Sequence, residues 1–431
     1  MKRIILLAVV QLTAMMASAQ SKFYVCEKFD SDDYQIADKE FFYNEDRTQV
    51  TIGNDTYNVA DIDSIVFTKP NFPCVNIVWN GTSATVTVSP SIKGVTYTTN
   101  GGHVTVTSTN TTDEILYVLS GTSDDGSLTL NGDYKLTIHL DSLTLTSKKG
   151  AAIDIECGKR IELKLMKGSV NTLTDCSNGA QKAALYTKGH LEIKGKGTLN
   201  VTGNTKHAIA AKEYLQLKSS TGTINILGAV GDGLHCGRGS SLASEAEDCR
   251  FIMNGGTVNI AGCGSDCVDA DDYGSMYING GTLNLDISQV DGNGLKCDSC
   301  LYMTGGDITM NITGEASNGI RTCYEGYYNG GTISGTVGSN GSKGIRGRAD
   351  SANTVYNKDH SGNLFFNGTN VTLTVSGGTY AATASSCWGI RADKNLYQTA
   401  GDLTVTVTNT QATGISVKGS NEKTGGTQTV N

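Results

Sequence analysis

The sequence predicts an all-β chain: a right-handed parallel β-helix of three strands per rung, preceded by a small β module. Three observations carry this prediction. Between Gly195 and Gly347 a glycine-led apolar strand is written six times: GTLNV from Gly197, GTINI from Gly222, GTVNI from Gly256, GTLNL from Gly281, GDITM from Gly306 and GTISG from Gly331. Four of the five steps between copies are 25 residues, and the fifth is 34 because an insertion, Gly237–Arg250, intervenes. A second strand keeps the same beat, with HAIAA at His207, DGLHC at Asp232, DCVDA at Asp266, NGLKC at Asn293, NGIRT at Asn318 and KGIRG at Lys343. The third observation is a leading strand (FIMNGG, MYINGG, LYMTGG, YYNGG) ahead of the later copies. Units this short cannot each build a core, so they must stack and bury alternate side chains against the rungs above and below.

Residues Met1–Ala19 read as a secretory signal, with Lys2 and Arg3 before the apolar run Ile4–Val10 and the small residues Ala17-Ser18-Ala19 at the cleavage site. Export to a periplasm, cell surface or medium is therefore expected. No other stretch is long and apolar enough for a spanning helix. Residues 20–68 form a small leading β module, and residues 69–74 contain Lys69-Pro70-Asn71-Phe72-Pro73, a stiff linker. Residues 75–431 are the β-helix. Its Thr/Val-rich start, up to Ser127, is expected to cap the first rung, because a bare rung would present unpaired backbone groups. After Arg348 a polar loop, Ala349–Asn363, interrupts the rhythm, and the strands resume with LFFNG, VTLTV and SSCWGIRAD. The step from Ile345 to Ile390 is 45 residues, which leaves the register open there.

The formal net charge is −8, and loss of the signal removes two more cations. Such a chain is poorly suited to sequence-independent nucleic-acid binding, which relies on neutralising phosphates. All 12 cysteines follow the signal, and in an oxidising compartment disulfides are the expectation, with Cys236–Cys249 as a guessed pair. A zinc site using Cys297-Asp-Ser-Cys300 is the weaker alternative. A monomer is expected.

Alternation assigns a face to each residue of the second strand. Ile209, Leu234, Val268, Leu295, Ile320, Ile345 and Ile390 must point inward, so the next column (Ala210, His235, Asp269, Lys296, Arg321, Arg346, Arg391) points outward. A ladder of cations on an acidic chain suits an extended anionic ligand, since guanidinium groups bind carboxylates bidentately. Trp388 beside it could stack on a sugar ring. The competing reading is that Lys296 and the arginines pair with neighbouring acids. Asp232 and Asp266 stack at the strand entrance, and Asp271 and Asp298 at its exit, with Asp269 alongside. Carboxylates about 5 Å apart repel by roughly 1 kcal/mol even in bulk water. A calcium ion with oxygen ligands relieves this; the alternative is that these acids only bond the turn backbone.

The phrases VNIVWNGTSATVTV, LTLTSKKGAAIDI, VNTLTDCS, GTLNVTGNTKHAIAAKEYLQL, VGDGLHC and FIMNGGTVNI, lying within Val75–Arg348, resemble a family of secreted bacterial carbohydrate-binding proteins with a pectate-lyase-like β-helix. The resemblance implies binding of plant cell-wall polysaccharide, acidic galacturonan or cellulose, with bound calcium and without established cleavage. Its calcium sites carry over onto Asp232 and Asp266. The chain departs from the family in its many cysteines and its two loops. Other functions compatible with the columns are a polysaccharide lyase using an arginine base, and a surface adhesin without sugar affinity.

Overall fold

The computed structural model describes residues 22–35, 41–53, 55–66, 71–237, 249–271, 273–349 and 360–431. The secretory signal, part of the linker, most of the insertion after Gly237 and residues 350–359 lie outside the described residues. The chain divides into two compact units, Met1–Cys74 and Val75–Asn431. In the first, Lys22–Glu27 pairs antiparallel with Asp30–Gln35 and with Ser64–Val66. Gln49–Ile52 pairs antiparallel with Phe41–Tyr43 and Asp55–Asn58. Phe23, Val25, Val50, Ile52 and Tyr57 form its own core.

The second unit is a parallel β-helix. One rung runs through a leading strand (Ser275–Ile278), a glycine-led strand (Thr282–Ile287) and a second strand (Asn293–Cys297). The next rung repeats them as Leu301–Met303, Asp307–Ile312 and Asn318–Thr322, each lying parallel on its predecessor. Between leading and glycine-led strands the chain turns at Gly256, Gly281, Gly306 and Gly331, all at φ of 80–90°. Only glycine enters that region without strain, which is why this letter keeps the beat. Inside, Leu234, Val268, Leu295, Ile320, Ile345 and Ile390 pair in one continuous register. Each such buried side chain contributes about 1.5–3 kcal/mol. The 45-residue step is therefore in phase, with Arg346 directly under Arg391.

The N-terminal end is capped as expected. Val75–Asn80 lies parallel on Ile115–Ser123 and turns back antiparallel into Ser83–Val88, while Val95–Asn100 closes antiparallel on Gly102–Ser108. Trp79 is buried there, and its Nε1 donates to Gly102 O at 2.7 Å.

The disulfide expectation is corrected: all 12 cysteines are free thiols, Cys236 and Cys249 included. For Cys236 and Cys297 the reason is positional. Cys236 and Cys297 occupy an inward column that otherwise reads Ala211, Ala270, Thr322, Gly347 and Ala392. Thiols serve there as small apolar filling. Ala270 separates the two sulfurs by a full rung, and two strand spacings of about 4.8 Å exceed the reach of a disulfide.

Candidate functional site

The outward column of the second strands assembles as the alternation demands. His235, Asp269, Lys296, Arg321, Arg346 and Arg391 lie on consecutive rungs, each paired with the next. The column splits into an acidic-and-histidine part and an arginine part. Lys296 belongs to the first. Its Nζ lies 3.0 and 3.1 Å from the two oxygens of Asp269 and 3.7 Å from Asp266 Oδ2. Burial disfavours its charge, but Asp269 and Asp266 outweigh that and hold the ammonium well above its ordinary range.

Asp232 and Asp266 do stack, but inside the corner and not on the outer face. Same-side parity carries them into a buried polar row of His207, Asp232, Asp266, Asn293, Asn318 and Lys343. Asp232 Oδ1 accepts from the Asp266 backbone N–H at 3.0 Å. Asp266 Oδ1 accepts from Asn293 N and Nδ2 at 2.9 and 2.6 Å, and Asn293 Oδ1 from Asn318 Nδ2 at 2.8 Å. Part of the acids' job is thus to satisfy corner backbone. Asp232 Oδ2 also stands 3.0 Å from both His207 Nδ1 and His235 Nδ1. Burial alone would raise Asp232, yet the bonds with His207 and His235 hold its carboxyl well below the usual range. Burial also opposes a charge on His235, but Asp232 and Asp269 push it up to about 9. Burial, with the charge of Asp269, pushes Asp266 up to about 6.

Asp271 and Asp298 meet at the strand exit. Burial, resisted by Lys296 and assisted by Asp271, pushes Asp298 up to about 7. Asp232, Asp266 and Asp269 each bring a carboxylate oxygen within 4.8 Å of the others, as His207, Asp232 and His235 do with one donor atom apiece. The buried group of Asp232, Asp266 and Asp269 offers only oxygen donors, which is the chemistry a calcium ion requires, with Asp271 and Asp298 at the strand exit.

The arginine part is held differently. Asp393 accepts from Arg346 Nη2 at 3.1 Å, Arg391 Nε at 3.2 Å and Lys418 Nζ at 3.2 Å. One carboxylate thus sits among three cations. Trp388 lies over Lys343 in the entrance row and packs against the Arg391 guanidinium, with the charges 5.2 and 4.8 Å from its ring centre. Burial, then the charge of Arg346, brings Lys343 down to about 8. Arg321 donates only to Cys323 Sγ, at 3.7 Å; among the described residues it has no carboxylate partner, and its Nε is buried and unbonded.

Lower in the same column stands Asp154, between Thr129 and Tyr186, with Oδ1 buried and unbonded. Burial and Glu156 push it up to about 6. A folded-state value above the unfolded one means that the stabilising contribution is complete below the unfolded value. It is lost as pH rises through about 6. Asp154→Asn is therefore expected to match the parent in melting experiments at pH 4 and to exceed it at pH 8. The gain is about 1–2 kcal/mol after discounting for partial exposure.

A family model described as "Carbohydrate-binding domain-containing protein" matches residues 100–430. The chain belongs to this family. Among related proteins, a carbohydrate-binding domain-containing protein of Acetivibrio thermocellus is 26% identical over 119 residues, 25% of this chain and 42% of that protein. The chain thus spans less than half of that relative's length. A solved polysaccharide lyase-like protein from C. thermocellum, a gadolinium derivative, superposes with a TM-score of 0.46 at 21% identity, over 57% of this chain and 93% of that one. Among the described residues of this carbohydrate-binding domain protein, no helix is long and apolar enough to cross a membrane.

The carbohydrate-binding domain also carries an aromatic column that sequence reasoning missed. On the leading strands Tyr277, Tyr302, Tyr327, Phe365 and Tyr397 stack with ring centres 4.8–5.1 Å apart and interplanar angles of 14° or less. Each inner ring has both faces covered by its neighbours. The column offers no open faces on which sugar rings could stack in series.

Proposed function

We propose that this carbohydrate-binding domain protein is exported and non-catalytic, and that its ligand is an acidic polysaccharide of the galacturonan type. The glycan lies along the second-strand face from Lys296 to Arg391, with Trp388 at the Arg391 end. The observation that supports this best is the row Arg321, Arg346, Arg391 on consecutive rungs. The rungs are about 4.8 Å apart, so the row presents a charge at each step of an extended polymer. Arg321, which has no acidic partner among the described residues, is where a ligand carboxylate gains most.

Calcium belongs to the same reading. Asp266, Asp269, Asp271 and Asp298 would hold it, supplying hard oxygen donors beside the glycan face, while Asp232 is committed to two imidazoles. Bound there, calcium would bridge protein and uronate carboxylates. Lys296 now provides the positive charge in that cluster, so ammonium and metal compete. Lys296→Ala is expected to bind calcium about tenfold or more tightly by calorimetry, because one repelling cation is gone. An unchanged or weakened affinity would move calcium elsewhere.

The function is tested by native electrophoresis through gels containing polygalacturonate, with calcium or with a chelator, alongside ultraviolet absorbance of the mixture. Retardation that is stronger with calcium and a flat absorbance are expected. Steady formation of unsaturated product would make the protein a lyase, and free migration in both gels would leave it a structural or adhesive β-helix.

A further inference from the structure

The aromatic column on the leading strands contains a phenol with a base beside it. Tyr302 and Tyr327 lie on consecutive rungs, with ring centres 5.1 Å apart and planes at 1°. Tyr277 stands 5.1 Å from Tyr302 on the other side. Beyond Tyr327 the column continues through Phe365 to Tyr397, at 4.8 and 4.9 Å. Parallel strands in register keep equivalent ring atoms about one strand spacing, 4.8 Å, apart. All five side chains are half-buried, so their edges meet solvent while their faces meet one another.

A second observation concerns Tyr327 alone. Its hydroxyl donates to Glu325 Oε2 at 2.5 Å. The other oxygen of that buried carboxylate accepts from Asn363 Nδ2 at 3.2 Å and stands 3.2 Å from His360 Nδ1, on a side chain 54% exposed. Burial, with the bond to Glu325 and its charge, holds the Tyr327 phenol well above its ordinary range, so the proton stays on at rest. A phenol that loses an electron becomes a strong acid. Here a carboxylate already stands in line to take that proton, and an imidazole stands behind it to pass the charge to solvent.

We propose that Tyr302 and Tyr327 form an oxidative modification site, at which a haem peroxidase with hydrogen peroxide joins the two rings as dityrosine. Tyr327 gives up an electron while its proton passes to Glu325, and Tyr302 loses an electron and a proton in turn. The two phenoxyl radicals form one carbon–carbon bond ortho to their oxygens. Each displaced ortho hydrogen then moves to the oxygen of its own ring, which restores two phenols. The two electrons and two protons released reduce one peroxide to two waters. The new bond ties Leu301–Met303 to Glu325–Tyr328, the leading strands of adjacent rungs. Tyr397 is set apart, because Phe365 lies between it and Tyr327 and has no hydroxyl to oxidise. The site shares no residue with the arginine row or the acid cluster, so it stands or falls independently of the glycan.

The test treats the dilute, full-length protein with a haem peroxidase and hydrogen peroxide. Dityrosine fluorescence is expected in the monomer, together with a cross-linked peptide pair that contains Tyr302 and Tyr327 and has lost two hydrogens. Tyr302→Phe keeps the stack, as Phe365 does, but leaves Tyr277 and Tyr327 two strand spacings apart; the monomer's dityrosine should fall about tenfold. Glu325→Gln keeps a hydrogen-bonding side chain without the base and should slow the reaction about tenfold. Tyr397→Phe should match the parent. Dityrosine confined to dimers, as the exposed Tyr43 and Tyr97 would give, would overturn the proposal. So would a link mapped to Cys300, whose thiol bonds the Tyr302 hydroxyl, an equal yield in Tyr302→Phe, or an equal rate in Glu325→Gln.

Discussion

The paired substitution Arg321→Ala with Arg346→Ala is expected to reduce retention by polygalacturonate about tenfold or more, and to flatten its dependence on salt. Two charge-assisted contacts to carboxylates are removed, each contributing about 1 kcal/mol or more at a partly exposed site. Fewer cations on the face also means less for salt to screen. The fold should survive. Asp393 keeps Arg391 and Lys418 when Arg346 is lost, and among the described residues Arg321 has no carboxylate to abandon. Affinity electrophoresis at several ionic strengths measures both effects, with a thermal melt as control. Retention equal to the parent would take the glycan off this face.

Gly331→Ala is expected to be a strongly damaging single methyl in the β-helix. Gly331 sits at φ 80°, and a Cβ there would lie 2.3 Å from Gly306 O and 2.8 Å from Met303 Cε. Backbone cannot yield as a flexible side chain can, so a corner of one rung must lift off the one below. The expected loss is about 3 kcal/mol or more, from left-handed strain plus overlap. Gly168→Ala separates the two causes. Its φ of 77° is similar but nothing lies within 4 Å of the added methyl, so only the strain of about 1–2 kcal/mol remains. Denaturant midpoints for the two variants give the comparison, and equal losses would mean that crowding between rungs contributes nothing.

Much of this was legible in the letters because the repeat is nearly constant. Once glycines recur every 25 residues, alternation alone places Ile320 inside and Arg321 outside, and it puts Lys296 above Asp269. What alternation cannot show is partnership. Lys296 read as the first rung of a basic ladder, yet its ammonium turns down to Asp269 and Asp266 and leaves the arginines to themselves. Asp393 escaped notice because it follows Arg391 by two residues but binds Arg346 from 47 residues away. Asn293, Asn318 and Lys343 were read only as the first letters of second strands; stacking shows them as a buried row that continues from Asp232 and Asp266. The tyrosines at 277, 302 and 327 were readable, since they share the 25-residue step, but three letters within strands otherwise read as apolar did not stand out. The cysteines misled for a different reason. Compartment argued for bridges, whereas the column that Cys236 and Cys297 occupy takes small, mostly apolar side chains.

The insertion between the rungs of Leu215–Leu217 and Arg250–Met253 has a consequence for how such a chain can change. Leu215 still pairs with Phe251 and Leu217 with Met253, so extra sequence at a corner leaves the stacking untouched. The second loop behaves alike, since Glu325 pairs with Asn363 across it. New surface can therefore be tried out at corners by lineage or by engineer without renegotiating the interior. A protein made this way acquires recognition by accretion, one bulge at a time, on a frame that does not register the addition.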